Sequence, residues 1–431
     1  MIARRLIQFA AASLALAGTL WALQGHVEDP DYPAIPFDHR AINYVDQDPA
    51  DPVALLQKRM DQGEVKLEFQ PKWGYLQSVL KLLGINIDSQ VLVFSKTSSQ
   101  ISRISPATPR AIYFNDSVSI GYVQGGSVLE VAALDPKQGA VFYLLDVRKA
   151  DHPSFDRQEM NCLQCHMSAA TLNIPGIMVS SFYTTDNDSP YGRAGGFVTD
   201  HRIPLKDRWG GWWVTGTHGS LRHHGNSISD SFGNYSGQAA DETQNVTSLA
   251  DKFNTAAYPT GTSDIVALMA LEHQTRMTSL MIRLGWETRV AAAEGTVKDF
   301  QPRLNDDLDE ISTYMLFADE APIRQPIQGV STFAKTFTQR GPRDKQGRSL
   351  RDFDLTKRMF RYPLSYMIYS DLFDSLPDLA RDALYRRLFD VLTGKDSDKK
   401  FARLSPDDRR AILEMVRDTK PNLAAYWKSF R

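Results

Sequence analysis

The apolar positions divide the chain into two unlike halves. Residues 91–94, 111–114, 119–123, 128–134 and 141–147 are runs of β-branched and aromatic side chains. Turn residues separate them, among them Asn115-Asp116, Gly125-Gly126 and Asp135-Pro136. Short apolar runs at this spacing predict strands of an antiparallel meander. Tyr113, Tyr122, Phe142 and Tyr143 would supply much of its packing face. From about residue 263 the pattern turns helical, with helices predicted over 264–293, 304–317, 355–372, 377–392 and 406–416. Two short helices, 53–60 and 75–83, precede the strands. Residues 171–250 are irregular, Gly-rich and polar, and 321–353 read as a polar connection. No internal repeat is present. The class expected is α+β: a β-rich region, 53–262, and a helical region, 263–431, packed as one unit.

The N-terminus has a different texture. Arg4 and Arg5 precede an apolar run over residues 6–23, the pattern of a secretory signal. Ala15-Leu16-Ala17 and Leu20-Trp21-Ala22 offer small-residue cleavage sites, so residues 1–25 are expected to be a signal peptide. The run is nearly long enough to stay as a membrane tether instead. Residues after Arg4-Arg5 fit twin-arginine export poorly, which favours the general secretory route into the periplasm. Residues 26–52, with Pro30, Pro33, Pro36, Pro49 and Pro52, read as an extended arm.

The formal charge is −2, and −4 without Arg4 and Arg5. That is too weak to imply nucleic acid or an anionic membrane surface as partner.

The chemistry concentrates at Cys162-Leu163-Gln164-Cys165-His166, which holds the only two cysteines of the 431 residues. In a C-x-x-C-H motif each thiol can form a thioether to one haem vinyl group, and the histidine then binds the iron. A bare C-x-x-C would equally suit thiol redox chemistry, and a structural zinc site needs about four ligands, for which no second cysteine pair exists. The reading is haem c on Cys162 and Cys165, with His166 as the proximal iron ligand. Asn161 is placed to cap a short helix there. The chain after the leader is far longer than a minimal electron-transfer cytochrome needs, so most of it does more than wrap a haem.

The sixth iron ligand separates an electron carrier from a peroxide- or oxygen-using enzyme. Four of the nine histidines, His201, His218, His223 and His224, frame Trp209-Gly210-Gly211-Trp212-Trp213. Small neighbours at Gly216, Gly219 and Gly225 would admit a haem edge. His273 lies in the helical stripe Ile265, Met269, His273, Met277, Leu280, Leu284. Glu272 beside it is a candidate proton donor, although adjacent helical residues point about 100° apart. Met178, Met269 and Met277 are further ligand candidates. For each, the plain alternative is a structural side chain. His218, His224 and His273 are the favoured distal groups.

The chain resembles large bacterial exported monohaem c-type cytochrome proteins. The resemblance rests on Asn161 through His166, on Thr199-Asp200-His201-Arg202 leading to Arg208-Trp209-Gly210-Gly211-Trp212, on Thr217-His218-Gly219 and on Leu271-Glu272-His273-Gln274. Arg361-Tyr362-Pro363 and Ile368-Tyr369-Ser370 extend it into the helical half. It implies an exported haem protein and carries over Cys162, Cys165 and His166, with no catalytic residue. One C-x-x-C-H sets it apart from diheme peroxidases. The leading expectation is single-electron transfer to a redox partner protein. The alternative is a haem peroxidase or oxygenase with an open or weakly ligated distal site.

Overall fold

Alternating side chains put the predicted runs into one antiparallel sheet. The computed structural model describes residues 32–182, 196–228, 240–421 and 423–429. The leader, 1–25, and the first part of the arm lie outside the described residues. Strands β1 (Val91–Val93), β2 (Arg110–Phe114), β3 (Val118–Val123), β4 (Val128–Asp135), β5 (Gly139–Asp146) and β6 (Phe155–Gln158) follow in chain order. A small antiparallel pair follows, β7 (Ser180–Phe182) with β8 (Gly196–Val198), and then β9 (Trp212–Trp213). Six meander strands and β9 form one seven-stranded sheet, ordered β6-β5-β4-β3-β2-β1-β9. A further antiparallel pair joins β10 (Gly216–Thr217) to β11 (Gln328–Gly329).

The two faces of the sheet differ. Leu129, Val131 and Ala133 of β4 point to the first face with Tyr113, Ile120, Tyr122 and Tyr143. There they pack on α1 (Pro52–Asp61), α2 (Leu76–Leu82) and the segment carrying Leu249, Phe253 and Tyr258. Asp51 caps α1 by accepting from the Val53 and Ala54 amides. The second face carries Glu130, Ala132 and Leu134 of β4, all half-buried. The helix after β6, α3 (Met160–His166), and the long α4 (Ile265–Glu294) border this face. Gly139 shows how close α4 comes: a Cβ there, at φ +90°, would lie 2.8 Å from Ile282 Cγ2.

Asp264 caps α4 and Gly295, at φ 73°, ends it. The helix is buried on nearly all sides, so the apolar stripe through His273 is only part of what it buries, and Glu272, Gln274, Thr275, Arg283 and Glu287 are interior too. It packs on α5 (Val297–Met315), which begins seven residues before its predicted start because Pro302 is tolerated inside it. The remaining helices are α6 (Phe333–Thr338), α7 (Asp371–Asp374), α8 (Asp378–Leu392), α9 (Pro406–Thr419) and α10 (Ala425–Ser429). No described helix is long and apolar enough to cross a membrane. The architecture is α+β, with an antiparallel sheet in the N-terminal half and helices in the C-terminal half.

Two expectations need correcting. Residues 355–372 are not one helix. Leu355 sits at φ 56°, the Asp354 carboxylate accepts from the Thr356 and Lys357 amides, and Pro363 lacks a donor. The apolar residues of that stretch serve an aromatic cluster of Phe337, Phe353, Phe360 and Tyr366 instead. Nor are residues 35–51 an extended arm. They turn repeatedly, and buried Tyr44 donates from its hydroxyl to the Ala140 carbonyl at 2.7 Å. Residues 35–431 make one compact unit.

Candidate functional site

The C-x-x-C-H residues occupy the short helix α3. It starts at Met160, so Asn161 lies within it and no side chain caps it. Cys162 and Cys165, three apart, share one side of the helix. Cys162 is half-buried and Cys165 exposed, and both thiols are free. Burial pushes the Cys162 thiol up to about 11, with Glu130 and Cys165 adding to it. A redox C-x-x-C works through a lowered thiol pKa, and burial of Cys162 acts in the opposite direction.

His166 is held by the loop that follows. Its Nδ1 lies 2.9 Å from the Gly176 carbonyl oxygen, and the Gly176 amide donates back to the His166 carbonyl at 2.8 Å. A carbonyl only accepts, so Nδ1 carries the proton and Nε2 keeps the lone pair. The loop is braced from several sides. Leu172 and Asn173 take left-handed conformations at φ 61° and 54°. The Thr171 hydroxyl donates to the Ile174 carbonyl at 2.8 Å. Arg283 of α4 donates to the Leu172 carbonyl at 3.2 Å, and the Ala140 amide of β5 donates to the Pro175 carbonyl at 3.2 Å. A Cβ at Gly176 would approach Ser279 Oγ to 3.1 Å. The Phe142 ring packs 4.8 Å from the His166 ring. Burial lowers the His166 pKa and favours the neutral imidazole that binds metals.

These features fit a covalently held haem. Two thiols flank one side of α3, and the imidazole is fixed in the tautomer that leaves Nε2 as donor, as a carbonyl partner does for metal-ligating histidines. The sheet face that carries Phe142 also carries half-buried Ile112, Ala132, Leu134 and Leu144, and half-buried Ile177 and Met178 follow Gly176. Among the described residues no group of three or more His, Cys, Asp or Glu is placed to hold a metal ion. Haem iron needs only one or two protein ligands, whereas a zinc site on this cysteine pair would need more.

The distal candidates lie in two groups. His218, His223 and Trp209 pack together, with rings 4.8 Å and 5.4 Å apart. His218 donates from Nδ1 to the Leu221 carbonyl at 2.8 Å, and its Nε2 accepts from the Asn245 amide at 3.1 Å. Both nitrogens are therefore engaged. His224 joins this region through its amide, which donates to the Arg208 carbonyl. Burial lowers the pKa of His218, His223 and His224 alike.

The second group centres on His273, which is 0% exposed. Its Nδ1 shares a hydrogen bond with His201 Nδ1 at 2.9 Å, and its Nε2 meets the Ser365 hydroxyl at 2.7 Å. Tyr314 stacks parallel to it, and Phe317 packs 4.5 Å away. His201 Nε2 faces Asp319 at 3.8 Å. Burial lowers the pKa of both histidines. Glu272 points elsewhere, to a buried ion pair with Arg208 at 3.0 Å. Burial raises its pKa, against the Arg208 charge and the Thr199 and Trp209 donors. Met269 and Met277 are buried within α4, while Met178 is half-buried just after the His166 loop.

Sequence reasoning missed three features here: the Gly176 carbonyl, the Phe142 ring, which it set on the packing face with Tyr143 although it lies on the opposite face against His166, and the pair Arg110–Glu130 on that second face. Gly176 follows Pro175, a turn signal. Arg110 and Glu130 are charged residues at strand positions that a half-covered face explains. Comparison of the chain with protein-family models, with curated proteins and with solved structures returns no match.

Proposed function

We propose that this protein is an exported monohaem c-type cytochrome of the kind its motifs resemble, and that it passes single electrons to a redox partner protein. The observation that supports this most is the His166 Nδ1–Gly176 bond, which holds Nε2 as the ligand atom beside two thiols on one helix flank. Cys162 and Cys165 would each add across one vinyl group, the S–H bond breaking as an S–C bond forms and the hydrogen going to the neighbouring vinyl carbon, so that no oxidant would be needed. Both thiols must be reduced for this to happen. His166 supplies the proximal imidazole, and Phe142 limits its rotation. Bound haem would contribute a one-electron iron couple, whose potential its ligands and surroundings set. Exposed Cys165 puts the attachment side at the surface, where a partner can approach. The residue 6–23 segment directs export to the periplasm and is either removed or kept as an inner-membrane tether.

A second reading, a haem peroxidase or oxygenase, is favoured by one observation. His218 and His273 both have two engaged ring nitrogens, so neither binds iron without giving up a hydrogen bond. Neither of these two histidines would then serve as a strong second iron ligand.

Spectroscopy of the exported protein tests both readings. A pyridine haemochrome spectrum typical of two thioether bonds supports covalent haem c, and its absence sinks the proposal. Six-coordinate low-spin iron that ignores CO when reduced supports the electron carrier. High-spin iron that binds CO readily moves the reading to the enzyme.

A further inference from the structure

Arg110 stands on the second sheet face close to the motif. Gly121 of β3 pairs with Ile112 on one side and Glu130 on the other. Arg110 is two residues from Ile112 and so shares its face. Its side chain reaches across Gly121, where a Cβ would lie 3.4 Å from Glu130 Oε2 and 3.5 Å from Arg110 Cδ. Arg110 Nη1 meets Glu130 Oε2 at 2.9 Å, with the side chains 19% and 17% exposed. Glu130 is otherwise occupied: its Oε1 accepts from the Ser98 and Ser99 hydroxyls at 2.7 and 2.5 Å.

The guanidinium is less fully occupied than its partner. Among the described residues its one hydrogen bond is the Nη1 contact to Glu130, and its Nε is buried with no partner. Arg157 of β6, on the other face of the sheet, also has a buried Nε without a partner, but both of its Nη atoms bind chain oxygens, at Val45, Gln47, Tyr44 and Gln138. Nε and Nη2 of an arginine form a planar two-donor edge that matches a carboxylate. Leaving the buried Nε of that edge without an acceptor is costly. Its position is also specific: Glu130 pairs with Leu144, which shares a face with Phe142 two residues away on β5, and the Phe142 ring packs on His166.

We propose that the Nε–Nη2 edge of Arg110 binds a carboxylate, and that this carboxylate is a propionate of the haem attached at Cys162 and Cys165. The inference rests on the haem reading above. Glu130, backed by two serine hydroxyls, holds the guanidinium in place, and Gly121 makes room for it. Arg110 is thus a cofactor-binding residue rather than a catalytic one.

The test uses the exported protein with its haem, and covalent haem in the parent is checked first. If the parent carries none, the underlying haem reading fails, whatever Arg110 does. Given covalent haem, the readouts are the resonance Raman propionate-bending band and the midpoint potential. In Arg110→Gln the band shifts, and the potential falls because a positive charge that favours the reduced iron is gone. Arg110→Lys keeps the charge and loses the planar edge, so the band shifts while most of the potential is retained. Gly121→Ala crowds the pair without removing charge and shifts the band less. If Arg110→Gln does not fold, the Lys and Gly121 variants carry the test. A haem-loaded variant at position 110 with an unmoved propionate band overturns the proposal. So does a parent whose potential responds to added formate with no change in that band, since the edge would then be holding a free carboxylate.

Discussion

His166 and His273 make an instructive pair. Each is a neutral imidazole in a largely closed environment, and burial lowers the pKa of both. Among the described residues, His166 has one nitrogen tied to a backbone carbonyl and no hydrogen bond at the other. His273 has both nitrogens tied, to His201 and Ser365, inside a stack of Tyr314 and Phe317. The same side chain makes a single contact to a backbone carbonyl at one place and a two-sided structural crosslink at the other. The two differ in the hydrogen-bond partners that neighbours supply and in exposure, since His166 is half-buried and His273 fully buried.

The comparison can be broken most sharply on the motif side. Replacing both Cys162 and Cys165 by Ala should abolish covalent haem altogether, seen as loss of haem staining on a denaturing gel. Retained covalent haem would end the motif reading.

On the other side, His273→Ala removes a fully buried ring and strands the His201 nitrogen and the Ser365 hydroxyl. A cost of about 3 kcal/mol is expected from cavity and lost hydrogen bonds together. Denaturant unfolding measures it, and the haem spectrum should not change. A change of spin state in this variant would make His273 a ligand after all.

The pH dependence follows from the same pair. His201 and His273 are neutral when folded, and unfolded histidine takes a proton near pH ~6.5. Their stabilisation is therefore complete above that pH and is lost as pH falls below it towards the lowered folded values. Each extra proton bound by the unfolded chain costs about 1.4 kcal/mol per pH unit. Unfolding free energies at pH 7 and 5.5 should show the decline, and His273→Gln should flatten it. An unaltered slope in that variant would remove His273 from the account.

The smallest effect concerns Phe142. Phe142→Leu should cost about 1 kcal/mol and free the His166 ring to turn. The electron paramagnetic resonance g values of the oxidised haem should shift, with attachment intact. Unchanged g values would show that the Gly176 bond alone orients the ring.

The fold class was legible because its cause is local. Alternation in residues 111–147 produced strands at the expected places, and α4 follows from Asp264, an apolar run and Gly295. The failures have local causes too, but ones that pattern alone understates. In residues 355–372 the apolar spacing suits a helix, while Asp354 and Pro363 hold the backbone in turns. The stripe through His273 predicted one buried face, yet a helix enclosed by a sheet, α5 and the C-terminal helices buries polar residues on its other faces as well.

The sequence by itself determined the chemistry on offer. Two thiols and an imidazole at C-x-x-C-H spacing sit within one turn of chain, so no folding is needed to bring them together. Which other groups lie beside that motif was decided only by the tertiary structure. The Gly176 carbonyl, Phe142, and Arg110 with Glu130 come from a loop, a strand centre and two different strands. Their roles depend on which hydrogen-bonding positions remain unused after packing, a property of three-dimensional neighbours that no spacing along the chain records.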